Sequence, residues 1–397
     1  MSKLEELIQK LCPNGVKYRK VGEICLLTRG VVMSKDFIRG NPGDYPVYSS
    51  QTENNGELGK INTYAFDGEY LTWTTDGANA GTVFYRNDKF SVTNVCGVLT
   101  MKHRNITNAK YLYYALQTAT KPYVNKGMGN AKLMSNVMAQ VSVSVPPIEV
   151  QHEIVRILDN FTKLTAELTA ELTARKKQYE FYRDNFLSFK NDLKKVPLWK
   201  ITNWDKKFNS VERHKQEKVI TYKNLLAKDL FALKKDYGDV FLLSTGEETG
   251  WTTEELAGDN LSIGEVVAIP WGKSRPVSEV MKYYKGKFVT ADNRIATSKD
   301  INILSNRYLY FWMKSQGKLI DSFYRGSSLE HPDMNKVLSL EIPLPSISEQ
   351  QRIVDILDKF DAYCNDLSLG LPAEIAARQK QYEYYRDKLL TFKELKA

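Results

Sequence analysis

The sequence predicts an α+β protein: two mixed α/β domains separated by two long helices packed as an antiparallel coiled coil, with an internal pseudo-repeat. Three observations predict it. The phrase KKQYEFYRD (Lys176–Asp184) returns as QKQYEYYRD (Gln379–Asp387), with seven of nine letters identical. Each copy continues an apolar pattern that recurs every seven residues. Ahead of each copy lies a block of short apolar runs punctuated by Gly, Asn and Asp.

In chain order the reading is a first block over 1–147, a central long helix over 148–195, a second block over 196–346 and a C-terminal long helix over 347–397. A chain of 397 residues suits two or more domains. Within the blocks, runs such as GVLTM and EVVAIP read as strands between turns. A short helix, around AKYLYYALQ in one and NRYLYFWMK in the other, precedes a Gly-containing loop. A last strand, VSVSVP or LSLEIPLP, leads through Pro into the long helix. The ends of the blocks echo each other better than their beginnings: KYLYYALQT faces RYLYFWMKS, and NKGMGNAKL faces YRGSSLEHP. That pattern suits one scaffold carrying two recognition surfaces.

The helix-opening phrases VPPIEVQHEIVRILDNF (Val145–Phe161) and LPSISEQQRIVDILDKF (Leu344–Phe360) match at a shift of 199 residues. At the tyrosine phrase the shift is 203, so four residues were inserted near LSLGLPAE in the second copy. In the first helix Leu158, Thr165, Leu172, Tyr179, Phe186 and Leu193 recur at one heptad position, and Phe161, Leu168, Arg175, Tyr182 and Phe189 at another. A helix of about 44 residues would be about 66 Å long at ~1.5 Å per residue. The second helix keeps the seam with Leu357, Phe360, Cys364 and Leu367, then resumes with Arg378, Tyr382, Tyr385, Leu389 and Phe392. Four extra residues make a stutter that unwinds a coiled coil locally; Gly370 and Pro372 within them equally allow a kink or break. Tyr179 and Tyr382 fall at a, Tyr182 and Tyr385 at d, where paired aromatics fill a wide seam.

Composition excludes several classes. No apolar run of 18 residues offers a membrane span, and MSKLEELIQK does not read as a secretory signal. The scattered Cys12, Cys25, Cys96 and Cys364 form no CxxC, which points to a reducing cytoplasm without a zinc site. The net charge of +9 is uneven: between Lys190 and Lys235 thirteen Lys/Arg face five Asp/Glu. That segment, interleaved with Trp199, Trp204, Phe208 and Tyr222, suits a phosphate backbone, or else is a solvated linker.

Motifs for catalysis fail on inspection. WGKSR contains GKS, but Val267 stands where a phosphate loop needs Gly. Asp333 and Glu341 could open a nuclease carboxylate set, yet Pro343 replaces the required Lys. The histidines at 103, 152, 214 and 331 have no ligand spacing, so no metal and no catalytic residue is assigned.

What remains is a set of polar loops. The candidate DNA-binding residues are Ser49, Ser50, Gln51, Asn54, Asn55, Trp73, Thr75, Asn79, Lys126, Asn130 and Lys132 in the first block. In the second they are Lys273, Ser274, Arg275, Arg325, Ser327 and Ser328. Asn and Gln can read adenine bidentately, Arg and Lys can read guanine, and Ser or Thr can bond base or phosphate.

The two helix-opening phrases, the tyrosine phrases behind them, and YSSQTENNG with LTWTTDGANAGTVFYR in the first block carry a resemblance. Over essentially the whole chain the sequence resembles the specificity (S) subunit of type I restriction-modification systems. The resemblance implies that each block is a target recognition domain reading one half of a split double-stranded DNA sequence. It implies that the helices act as spacer and dock for modification (M) subunits, two per chain, which use S-adenosylmethionine to methylate adenine. Restriction (R) subunits, using ATP and Mg, would complete the complex in a prokaryotic cytoplasm, at the nucleoid. The chain itself would be a non-catalytic reader without a cofactor. A rod of about 60 Å would separate the recognition surfaces by one to two DNA turns of ~34–36 Å. Two other readings compete: a stand-alone DNA methyltransferase or nuclease, for which no cofactor or metal site is found, and a coiled-coil scaffold with two protein-binding heads.

Overall fold

The computed structural model describes the chain except positions 1, 128, 189–192, 247–248, 274, 292, 327–329, 367–368 and 396–397. The chain forms two units, Met1–Thr169 with Glu374–Ala397, and Ala170–Ala373.

In the first unit, α1 (Lys3–Leu11) starts at a reciprocal cap. The Ser2 hydroxyl accepts from the Glu5 N–H, and the Glu5 carboxylate accepts from the Ser2 N–H at 2.7 Å. Strands β1 (Lys17–Lys20), β2 (Cys25–Arg29), β3 (Tyr45–Tyr48), β4 (Glu57–Ile61), β5 (Phe66–Thr74), β6 (Val83–Val92) and β7 (Cys96–Met101) precede α2 (Ala109–Ala119), and β8 (Ser142–Val145) follows it. Six strands form a sheet in the order β2-β7-β5-β6-β3-β4, in which β3 and β6 run parallel and the other neighbours antiparallel. Leu112, Ala115 and Leu116, one stripe of α2, are buried with Leu71, Trp73 and Leu99 of the sheet. β1 and β8 pair as a separate ribbon with Lys17 opposite Val145. Next comes α3 (Ile148–Leu187), 40 residues long, which belongs to this unit up to Thr169.

The second unit holds β9 (Lys195–Pro197), β10 (Thr202–Asp205), β11 (Val219–Ile220), β12 (Asn224–Leu225), β13 (Val240–Leu243), β14 (Trp251–Thr252), β15 (Ser262–Pro270), β16 (Lys282–Ala291) and β17 (Asn293–Ser298). After these come α4 (Asn306–Ser315), β18 (Tyr324–Arg325), β19 (His331–Pro332), β20 (Glu341–Pro343) and α5 (Ile347–Asn365). The order β10-β17-β15-β16-β13-β14 repeats the first sheet strand for strand, again with one parallel pair, β13 and β16. β11 beside β10 and β12 beside β16 are additions. The β9–β20 ribbon sets Lys195 opposite Pro343, as β1–β8 sets Lys17 opposite Val145.

The repeated Pro-x-x-x-x-Gln phrase builds the same clamp twice. Gln151 is fully buried; its amide donates to the carbonyls of Ile106 (2.8 Å) and Pro146 (2.7 Å), and its oxygen accepts from the Asn108 N–H (2.9 Å). Gln350 does the same with Ile303 (2.8 Å), Pro345 (3.0 Å) and the Ser305 N–H (2.9 Å). A buried amide whose groups are all bonded locks together two backbone segments, three of whose polar groups would otherwise be left unsatisfied. Tyr111 and Tyr308 add a matching bond, from hydroxyl to the carbonyls of Ser144 (3.1 Å) and Pro343 (3.0 Å).

The seam residues pack as two sets. In the first unit Leu158 is buried with Val150, Ile154, Tyr111 and Tyr114, against Tyr382, Leu389 and Phe392. Phe161 stacks on Tyr385 at 5.4 Å although Tyr385 is 37% exposed. In the second unit Tyr179 and Leu187 are buried with Ile353, Leu357 and Cys364, flanked by Leu172, Phe186 and Phe360. Tyr182 lies 5.7 Å from Phe360, and Arg352 sits over Phe186, so this stretch of α3 runs antiparallel to α5. Leu168 is half-buried in α3. Each tyrosine phrase therefore packs with the other block's helix start, not with its own copy.

One expectation changes, and the choice left open at Gly370 and Pro372 is decided. Helix does not continue to 195: the described part of α3 ends at Leu187, and Lys195 lies in β9, where Pro197 permits the strand but not a helix. The C-terminal helix is broken into α5 and α6 (Leu371–Leu390). Gly370 closes the break; a Cβ there would lie 2.7 Å from the Ala362 carbonyl oxygen, and its N–H bonds the Asp366 carbonyl at 3.1 Å. Thr165, a polar seam position, donates to the Phe161 carbonyl of its own helix at 3.0 Å. Leu367 and Phe189 lie outside the described residues. Among the described residues no helix is long and apolar enough to cross a membrane, and Cys12, Cys25, Cys96 and Cys364 are free and buried.

Candidate nucleic-acid interface

Three loops of the first unit come together at the strand ends. The loop 49–56 between β3 and β4 is closed by the Ser49 N–H donating to the Gly56 carbonyl at 3.0 Å and by the Gln51 amide donating to the Glu57 carbonyl. Its tip, Asn54 and Asn55, is exposed and left-handed, at φ 48° and 56°; Asn tolerates that region better than most residues. Asn79, after β5, donates to the Thr52 hydroxyl at 3.0 Å and so joins the loops 49–56 and 75–82. The third loop doubles back on itself, with Asn125 and Lys132 exchanging backbone bonds of 2.9 and 3.0 Å. It is held to the second by the Gly77 N–H on the Ala131 carbonyl (3.0 Å) and the Leu133 N–H on the Thr75 carbonyl (2.9 Å). Lys126, Asn130 and Lys132 are exposed on it, and among the described residues neither lysine forms an ion pair. Ser49 and Ser50 are half-buried, with the Ser49 hydroxyl accepting from Thr93 at 3.0 Å.

In the second unit the loop after β15 meets the β18–β19 hairpin. The Lys273 N–H donates to the Glu330 carbonyl at 3.1 Å, and the Trp271 and His331 rings meet at 4.3 Å, tilted by 49°. Arg275 and Arg325 are exposed there. Ser274, Ser327 and Ser328 lie outside the described residues.

Four expectations are corrected by burial. Trp73 is fully buried; its indole N–H donates to the Leu133 carbonyl at 2.9 Å and its ring covers Gly97, where a Cβ would clash at 2.2 Å. It holds the third loop down and has no face left for a base. Thr75 is also fully buried, accepting from Arg29 (3.2 Å) and donating to Asp76 (2.5 Å). Lys273, its side chain 12% exposed, is neutralised between Asp321 (2.6 Å) and Glu330 (3.4 Å). In the basic 190–235 segment Trp204 is core, bonded to the Thr202 hydroxyl at 2.9 Å, while Trp199 and Phe208 pack against the same cluster and Tyr222 against Phe288. The lysines of that segment at 194, 195, 200, 206, 207, 218, 223, 228, 234 and 235 are exposed.

Two arginines outside the polar loops also reach them, and both sit in strands, where composition gives no signal. Arg29, at the end of β2, reaches Thr75, Asp76 (3.8 Å) and the Asn94 carbonyl. Arg86, in β6, lies beneath the loop 49–56 and donates to the Asn55 carbonyl at 2.7 Å. Beside it, burial pushes the Tyr48 hydroxyl up to about 12, so it remains a donor at neutral pH, to Asp88 at 3.1 Å.

The arrangement defines a recognition protein: one scaffold built twice, with two unlike sets of hydrogen-bonding loops carried at like positions. The chain belongs to the family of type I restriction modification DNA specificity domains, whose family model matches residues 13–175 and 214–377. In this family the chain supplies DNA sequence specificity and no catalysis. It is 33% identical over 379 residues to a putative type I specificity subunit of Mycoplasma pneumoniae, covering 94% of this chain and 97% of that one. It is 37% identical over 304 residues to the Escherichia coli EcoR124I/EcoR124II specificity subunit, covering 72% of each. The fold matches the crystal structure of a type I restriction-modification S subunit from M. genitalium with a TM-score of 0.61 at 13% identity, covering 95% of this chain and 96% of that one.

Proposed function

We propose that this specificity subunit reads a bipartite double-stranded DNA sequence, one half-site per unit, and docks two methyltransferase (M) subunits that methylate adenine. The observation that carries the reading is the six-strand order, repeated with the same parallel pair, beneath loops that do not repeat. In the first unit Ser50, Asn54, Asn55, Asn79, Lys126, Asn130 and Lys132 are the contacting set, with Ser49 and Gln51 shaping the loop. In the second, Arg275 and Arg325 belong to it. The matching Gln151 and Gln350 clamps make the two helix starts alike, which suits two copies of one partner. The long helices serve as the spacer that sets the number of unread base pairs.

S-adenosylmethionine belongs to the M subunits, which flip the target base out of the duplex; ATP and Mg belong to restriction subunits. The complex works in a prokaryotic cytoplasm. Co-expression with type I M subunits, followed by mapping adenine methylation on a random-sequence DNA pool, tests the proposal. A split motif is expected only when both proteins are present. Methylation by this chain alone, or a single continuous motif, overturns it.

A further inference from the structure

Arg86 is 2% exposed, and among the described residues it forms no ion pair. Its guanidinium carbon lies over the Tyr48 ring, 3.5 Å from the centroid, and 4.7 Å from that of Phe84. Nε donates to the buried Thr72 hydroxyl at 3.2 Å, Nη2 donates to the Asn55 carbonyl at 2.7 Å, and Nη1 has no hydrogen-bond partner among the described residues. Burial lowers its affinity for the proton.

A buried cation with no carboxylate in direct contact, Asp88 acting only from beyond Tyr48, and with one donor unsatisfied, is a poor device for stability. What the side chain does is grip the loop 49–56 from below. The Asn55 carbonyl it holds sits between two left-handed asparagines and Gly56 at φ 82°. The fit is close, since a Cβ on Gly56 would lie 3.2 Å from Nη2. Arg86 thereby holds the backbone at the asparagine tip, and the same loop receives the Asn79 amide on the Thr52 hydroxyl.

The second unit shows what this position holds when the loop is different. The bonds from Tyr85 to Glu69 and from Tyr283 to Glu265, both 2.7 Å, align the two strands; the next residue is Arg86 in one and Tyr284 in the other. Tyr284 stacks on Phe241 at 4.5 Å, beside Trp251, with no guanidinium in the contact. The scaffold does not require arginine there.

We propose that Arg86 is a positioning residue for base specificity in the first unit, fixing the asparagine tip of the loop 49–56 in its reading geometry. This rests on the half-site reading above. The test uses the full chain assembled with its M subunits, methylation motifs from a random pool, and thermal melting. Arg86→Met should reduce base discrimination in one half of the motif at least tenfold while leaving the other half unchanged. Arg86→Lys, which keeps the charge and one donor, should recover part of it. Gly56→Ala, which crowds Nη2 from the loop side, should alter the same half. Parallel weakening of both halves, or an unchanged motif in both Arg86→Met and Gly56→Ala, overturns the inference while the half-site reading stands. A wild-type complex that marks no split motif overturns the reading, and the inference with it.

Discussion

The two units share their sheets and differ in what the sheets carry. β5, β6 and β7 have counterparts in β15, β16 and β17, each followed by a capped helix and a buried glutamine. Yet one unit places a buried guanidinium under an asparagine tip, where the other stacks Tyr284 on Phe241 beside a Trp251 that is 44% exposed. Buried, fully bonded groups are hard to vary one at a time because each change leaves others unsatisfied. Loop tips vary freely. Duplication therefore preserved the clamp and released the surface.

The strongest way to break the equivalence is at the seam. Leu158 and Leu357 are both fully buried, so Leu158→Ala and Leu357→Ala should each cost about 2–5 kcal/mol. Hydrogen exchange resolved by unit should show each loss in its own unit; a loss confined to one would mean that the seams are not equivalent. The clamps come next. Gln151→Ala and Gln350→Ala each strand three bonded backbone groups, at a cost of about 3 kcal/mol from the penalty for unsatisfied buried groups. Urea melting should find the two losses within about 1 kcal/mol of each other.

Smaller effects sharpen the comparison. Lys110 pairs with Asp159 at 2.7 Å, and Arg307 with Asp358 at 2.7 Å. Lys110→Ala should cost about 0.2–1 kcal/mol as a part-exposed pair. Arg307→Ala should cost more in the same melts, because its guanidinium also covers Tyr283, Tyr310 and Phe311. The last contrast is in pH. Asp205 is buried, which holds its carboxyl above the usual range; Oδ1 accepts from the Ile295 N–H at 2.7 Å and Oδ2 has no hydrogen-bond partner among the described residues. Its ladder counterpart in the first unit is the uncharged Thr28. A folded pKa raised above the unfolded one gives stability that is full below the unfolded value and lost as pH rises through the folded value. Asp205→Asn should therefore raise Tm at neutral pH and do little below about pH 4. A gain that grows toward acid would contradict the assignment.

Much of this was legible beforehand. The Gln of the repeated phrase was visible as a letter, and so was the seam from Leu158 to Phe186. The clamp chemistry of Gln151 was not, because its partners, Ile106 and Asn108, lie more than forty residues earlier. Polar loops were found by composition, and Asn54, Asn55 and Asn79 are on the surface. Trp73, Thr75 and Lys273 shared that composition but are buried or neutralised by contacts from distant segments.

By itself, the sequence determined the duplication, the helical period and the two blocks, since periodicity and repetition are local properties of a chain. Only the tertiary structure decided that the first tyrosine phrase packs in the unit of the second block and the second phrase in that of the first. Identical seam letters favour either partner equally. The choice is made by where α3 ends, where Gly370 breaks the other helix, and which core lies alongside.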